Sequence, residues 1–156
     1  EFGQALNEKQ KARFTYGLSE TQFRGYVDKA SKNANPTGTL FVLLETRLDN
    51  VLVRSGLAKT RAQARQAASH GHATVNGRRV TVPSILLSEG DVVGIRAGSA
   101  QSPLFAETTE RMKGQTAPAW LETNPEKREA KVVGAPVYDR GGNVFDLGIV
   151  IGFYNR

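Results

Sequence analysis

The sequence predicts an α+β fold. A small helical N-terminal domain over residues 1–43 precedes an α+β domain over residues 44–156, in which a helix-turn-helix packs on a mostly antiparallel sheet of about five strands; its core module spans residues 44–96. Three observations predict this. Apolar residues recur at spacings of three and four in the first half of the chain, as one face of a helix requires. Asn76-Gly77 stands between two short strand-like runs, the strongest short-range hairpin signal, because a type I′ turn needs positive φ at both central residues. Further β-rich runs follow at residues 91–96, 131–134 and 149–154.

Asn7 is placed to cap a first helix running to Tyr16, with Gly17 as its stop. Ser19 and Gln22 have capping-box spacing for a second helix, apolar at Phe23, Val27 and Ala30, and the run Asn33-Ala34-Asn35-Pro36-Thr37-Gly38 then breaks the pattern. Leu40, Leu44, Leu48, Val51 and Leu52 share one stripe of a helix that Gly56 ends. Thr60 and Gln63 open the next helix, which turns Ala62, Ala67 and Ala68 inward and stops at Gly71. The hairpin follows, ended by Pro83, and Ser88-Glu89-Gly90 turns the chain into a third strand. Beyond Gly98 the expected elements are a helix over residues 102–112, a short apolar anchor at Trp120-Leu121, and two strands, the last at residues 149–154 and paired in the sheet. The glycine-rich stretch Asp139-Arg140-Gly141-Gly142-Asn143 reads as a mobile loop.

A chain of 156 residues with 39% hydrophobic and 23% charged residues can bury a core of its own. No apolar run approaches the roughly 18–20 residues that span a bilayer, so no membrane partner is expected. The first residues lack the order of a secretory signal, and without an initiator Met the chain is expected to begin partway through a longer protein. Cysteine is absent, which excludes disulfides, thiol chemistry and cysteine-type zinc sites. With only two histidines, neither a metal nor a cofactor is expected.

Charge is the functional signal. The net charge is +6, and residues 50–88 contain no Asp or Glu at all while carrying Arg54, Lys59, Arg61, Arg65, Arg78 and Arg79, with His70 and His72 between them. Clustering matters more than the total, because phosphate contacts release counterions near one surface. Arg61 and Arg65 are one helical turn apart, with Gln66 and Ser69 close by. The helix start at Thr60 directs free backbone N–H groups outward beside Lys59, and arginine's planar fork matches phosphate bidentately. The hairpin then brings Asn76, Arg78 and Arg79. The candidate RNA-binding residues are these, with Lys9, Lys11, Arg13 and Arg24 on the basic N-terminal helices; Tyr16 and Tyr26 are the aromatics available there for base stacking. Two other readings compete: a basic face that only aids solubility, and a module that docks an acidic protein.

The segments 44–51, 59–66 and 69–72, the run Val75-Asn76-Gly77-Arg78-Arg79-Val80 and the pair Pro83-Ser84 closely resemble the RNA-binding module of bacterial small-subunit ribosomal protein four, the S-four family. Residues 6–11, 16–20 and 22–24 are similar to that family's helical N-terminal domain, Trp120-Leu121 to its midsection, and Ile149-Val150 with Phe153-Tyr154-Asn155-Arg156 to its C-terminal strand. The resemblance implies a primary binder of small-subunit rRNA that nucleates assembly of the 5′ domain and borders the mRNA entry path beside ribosomal protein five. It implies a cytoplasmic ribosome or an organellar one, and some members also repress their own mRNA. Ala67 and Ala68 stand where the family usually has larger aliphatics, and the family's additional N-terminal segment, sometimes zinc-binding, is absent here.

Similar modules occur in rRNA pseudouridine synthases, bacterial tyrosyl-tRNA synthetases and a heat-shock ribosome-rescue protein, so an rRNA-modifying or rescue protein is the alternative. Arg47-Leu48-Asp49 superficially matches the catalytic Arg-Leu-Asp of the synthases. A catalytic Asp there belongs in a loop of a large domain, whereas Asp49 is expected late in an amphipathic helix and paired with Arg47 or a neighbouring backbone group. No enzyme is expected.

Overall fold

A computed structural model describes residues 1–156, which divide into two compact units, one of residues 1–45 with 137–156 and the other of residues 46–136. The first unit begins with helix α1 (Phe2–Tyr16), which runs through Asn7 rather than starting from it and ends at Gly17 with φ +65°. Ser19 and Gln22 form the expected reciprocal capping box on α2 (Glu20–Ser31). Helix α3 (Pro36–Glu45) follows the Asn-rich connector. Phe23, Val27, Ala30, Leu40 and Leu44 are fully buried in one core with Phe145, Leu147 and Val150.

Those last three residues overturn the expected C-terminal strand. Residues Leu147–Tyr154 form a helix, α7, capped by the Asp146 carboxylate accepting from the Ile149 amide at 3.2 Å. The β-branched residues favour a strand locally, but Leu147 and Val150 at helical spacing find an apolar partner in the N-terminal helices. The expected domain limits change with it: residues 137–156 pack with the N-terminal helices, not with the segment beginning at 44. The preceding loop carries hydrogen bonds of its own, with Asp139 accepting from the Gly141 amide at 3.1 Å and a single 3-10 turn over Arg140–Gly142.

The polar contacts of this unit hold the first and last helices together. Glu8 pairs with Lys11 and accepts from the Asp146 amide at 2.7 Å. Lys9 pairs with Glu20, which also accepts from the Tyr154 hydroxyl at 2.6 Å. The Tyr16 hydroxyl donates to buried Glu45 at 2.6 Å.

The long helix expected over the stripe from Leu40 to Leu52 is two, and its latter half opens the second unit. The chain breaks at Thr46-Arg47 and α4 (Leu48–Arg54) restarts. The reason lies far along the sequence: the Leu48 amide donates to Ile85 O at 2.8 Å, the Asp49 amide to Pro83 O at 3.0 Å, and the Leu87 amide to Thr46 O at 2.8 Å. The loop after the hairpin thus takes amides that a continuous helix would bond internally. Helix α5 (Arg61–Ser69) is capped by Thr60, and Gln63 reaches back to the Lys59 amide at 2.6 Å. Ala64, Ala67 and Ala68 are its buried residues, whereas Ala62, expected inward, faces solvent. The helix ends in a Schellman motif: the His72 amide bonds Ala67 O, the Gly71 amide bonds Ala68 O, and Gly71 has φ +75°.

Strands β1 (Ala73–Val75) and β2 (Arg78–Arg79) flank Asn76 and Gly77, at φ +53° and +81°, as a type I′ turn requires. With β3 (Val92–Ile95), β4 (Leu121–Asn124) and β5 (Glu129–Val132) they make a five-stranded antiparallel sheet ordered β2-β1-β3-β5-β4. Five strands were expected, but the fifth is residues 121–124 in place of 149–154. The expected helix over 102–112 is a 3-10 turn at Pro103–Phe105 followed by α6 (Thr108–Gly114). Leu48, Val51, Ala64, Ala68, Val93, Ala130 and Val132 meet in the core between helices and sheet.

Two outcomes follow from this framework. Replacing Gly71 with alanine forces a Cβ into the left-handed region and costs about 1–2 kcal/mol, read as a lower urea midpoint at unchanged m value. Lys11 and the Asp146 amide hold the Glu8 carboxyl below its ordinary 4.5; for Glu20, burial pushes upward, but Lys9 and the Tyr154 hydroxyl outweigh it and the carboxyl also lies below 4.5. Depressed carboxyls contribute stability above their unfolded values that is lost as pH falls through the folded ones. Acid titration followed by circular dichroism should therefore show weakening below about pH 4.5, blunted in Glu20→Gln.

Candidate nucleic-acid interface

The basic surface of the second unit grows from two consecutive buried residues. Asp49 and Asn50, each 1% exposed, lie in the first turn of α4. The Asp49 carboxylate accepts from Arg47 Nε at 3.0 Å and Nη2 at 2.9 Å, a bidentate pair with a guanidinium that is itself buried. Its Oδ2 also accepts from Arg65 Nε at 3.4 Å. Asn50 Oδ1 accepts from Arg61 Nη2 at 2.9 Å. Arg61 and Arg65 are therefore half-buried and anchored on α4, not loose cations on a solvated face.

Around them the other expected residues of this unit fall into four groups. Lys59, Thr60, Gln66, Ser69 and His70 are exposed along α5 and its ends. Arg78 and Arg79 are exposed on β2, an edge strand, and Arg79 Nε folds back to Gly71 O at 3.1 Å, tying the hairpin to the end of α5. Arg54 is half-buried at the end of α4. Asn76 and His72 have internal work instead. The Asn76 amide group donates to Asp91 at 2.9 Å and accepts from the Val92 amide at 2.9 Å, clamping the turn to β3. His72 meets Ser99 Oγ through Nδ1 at 2.7 Å and packs edge-on against Phe105. Both alanines under α5 are buried, and Ala67 borders a narrow apolar cavity with Leu52, Leu57, His72 and Phe105.

Beside the start of α5 an open groove of about 670 Å³ is lined by Lys59, Gln63, Leu104, Glu107 and Arg111. Arg111 is pinned there by hydrogen bonds to Gly56 O at 2.8 Å and Leu57 O at 3.2 Å, so α6 braces the turn that leads into α5.

In the first unit the expectations need correction. Lys9 is buried, paired with Glu20 and packed over the rings of Phe153 and Tyr154. A lysine so enclosed stabilises the helices and does not present its charge to a ligand. Tyr16, expected as a stacking aromatic, is 1% exposed, and Tyr26 is half-buried; the exposed aromatics are Phe2 and Phe14. Lys11 is exposed but pairs with Glu8. Arg13 donates to Gln10 at 3.0 Å and Leu18 O at 3.0 Å, and Arg24 is exposed.

Asp49 pairs with Arg47 as expected, but from the first turn of its own helix rather than late in a longer one. Sequence reasoning missed Asn50 and the second partner of Asp49; the available signal was two short polar residues opening an otherwise apolar helical stripe. No group of three or more His, Cys, Asp or Glu side chains is placed to hold a metal ion, and no helix is long and apolar enough to cross a membrane.

Comparison with known proteins matches the two parts separately. Residues 46–93 match the S4 domain, and residues 1–45 match the ribosomal protein S4/S9 N-terminal domain. Small ribosomal subunit protein uS4 of Pelotomaculum thermopropionicum is 45% identical over 157 residues, covering 100% of this chain and 76% of the relative. The uS4 protein of Halothermothrix orenii is 44% identical with the same coverage, and that of Corynebacterium kroppenstedtii 52% identical over 121 residues, covering 77% of this chain and 60% of the relative. Identity of 45% along all of the chain, with the two matched domains meeting where the structure itself divides, between Glu45 and Thr46, makes this chain a member of the uS4 family.

Proposed function

We propose that this chain is a structural constituent of the small ribosomal subunit and a primary rRNA-binding protein, which nucleates assembly of the 5′ domain and borders the mRNA entry path beside ribosomal protein five. The observation that carries the reading is the anchoring of Arg61 and Arg65 on buried partners within an acid-free stretch, in a surface continued by exposed Arg78 and Arg79. Arginines held in a fixed plane suit phosphates at defined spacing better than flexible lysines do. The uS4 names of its relatives support the ribosomal setting, in a cytoplasmic or an organellar ribosome. Recognition is of RNA shape, because A-form grooves hide base edges.

Catalysis has no support at the Arg47-Leu48-Asp49 triplet. Asp49 is buried and bonded to two guanidiniums, so its carboxylate has no path to a substrate. We read the chain as a binder rather than an rRNA-modifying enzyme.

Filter binding to small-subunit rRNA across a salt series tests the reading. With roughly five to eight phosphate contacts, log affinity should fall by about 0.7–0.9 per contact for each unit of log salt. Arg78→Ala should weaken binding and lower that slope by about one contact, whereas a wild-type slope of one or two contacts would reject the interface. Folded rRNA should also outcompete heparin at equal charge as salt rises; equal competition would favour docking of an acidic protein instead.

A further inference from the structure

The contacts between α4 and α5 run in register. Consecutive anchors, Asp49 and Asn50, meet arginines one turn apart, Arg65 and Arg61 respectively. The anchors are 1% exposed, while the Arg65 side chain is 36% exposed, so the partners that set direction are out of reach of any ligand and the group they direct is not.

We propose that Asp49 and Asn50 are positioning residues for polyanion recognition. They touch no RNA; they fix the guanidinium planes of Arg65 and Arg61 before RNA arrives. The proposal rests on the RNA-binding reading above. An arginine loses much rotational freedom when it is immobilised against a ligand, and prior anchoring in the free protein removes that loss from the binding step. A guanidinium presents its donors in a rigid planar fork, so a hydrogen bond at Nε or one Nη restricts where the remaining donors point.

Simple charge counting makes the opposite prediction, which renders the proposal decidable. A carboxylate close to bound phosphates repels them, so neutralising Asp49 should tighten RNA binding if charge alone matters. If positioning matters, Asp49→Asn weakens binding although it raises the net charge by one, because an NH2 donor replaces one carboxylate oxygen and the neutral oxygen that remains accepts more weakly from Arg47 and Arg65. A purely structural Asp49, there only to neutralise buried Arg47, would alter thermal stability and leave the affinity of the folded fraction unchanged.

The experiment measures affinity for a folded small-subunit rRNA fragment with wild type, Asp49→Asn, Arg65→Lys and the double variant, each confirmed folded at the assay temperature by its melting curve. Asp49→Asn and the charge-conserving Arg65→Lys should each weaken binding about tenfold, the scale of one charge-assisted hydrogen bond. The double variant should bind no worse than the weaker single one, since both changes remove the same contact. Unchanged or tighter binding by Asp49→Asn, or losses that multiply in the double variant, would overturn the proposal. Should Asp49→Asn fail to fold, Arg65→Lys decides alone: wild-type affinity overturns the proposal and a tenfold loss supports it. Arg61→Ala with Arg65→Ala separates the two levels, because undiminished rRNA affinity there rejects this face as an RNA surface altogether.

Discussion

Asp49 is held at both ends, and much of the second unit is arranged around it. Its amide donates to Pro83 O, which brings the loop after the hairpin against the start of α4. Its carboxylate receives one buried arginine from its own helix start and one half-exposed arginine from α5. A buried charge is costly to desolvate and is tolerated only when its hydrogen bonds are complete. Asp49 therefore acts on two segments at once: its amide seats the post-hairpin loop and its carboxylate sets the direction of Arg65. Such a pair adds less to stability than to uniqueness, since wrong packings would leave the charge without partners.

The two ends of α5 show how backbone geometry is turned into a surface. At the start, Thr60 and Gln63 satisfy local amides. At the end, Gly71 takes the left-handed conformation and its carbonyl receives Arg79 from the hairpin. Helix and hairpin are thus joined by a hydrogen bond that uses a cation of the candidate interface itself. The small buried alanines of α5 let its backbone approach the core closely, which keeps the arginines near their anchors on α4.

Features set by neighbouring residues were legible in the sequence. The capping box of Ser19 and Gln22, the stops at Gly17 and Gly71, and the Asn76-Gly77 turn each depend on a few adjacent side chains, and each stands in the structure. What escaped depends on partners distant along the chain. The stripe from Leu40 to Leu52 is continuous in sequence, yet carbonyls of the 83–87 loop interrupt it. Residues 149–154 look like a strand until the apolar face of the N-terminal helices is available to pack against, where they continue a helix capped by Asp146. At the candidate interface the cations were legible by charge, but whether each faces outward was not. Lys9 turned inward because Glu20 and two aromatic rings were there to receive it.

The return of α7 to the first three helices gives the chain an order in time. Residues 46–136 contain everything their core needs and can close it as soon as they leave the ribosome that makes them. The N-terminal helices, synthesised before them, cannot complete theirs until Phe145, Leu147 and Val150 emerge about a hundred residues later. Until then Phe23 and Leu40 lack part of their cover, so of the two units the one begun earlier finishes folding later. The interface-bearing unit would thus be formed while the other is still incomplete.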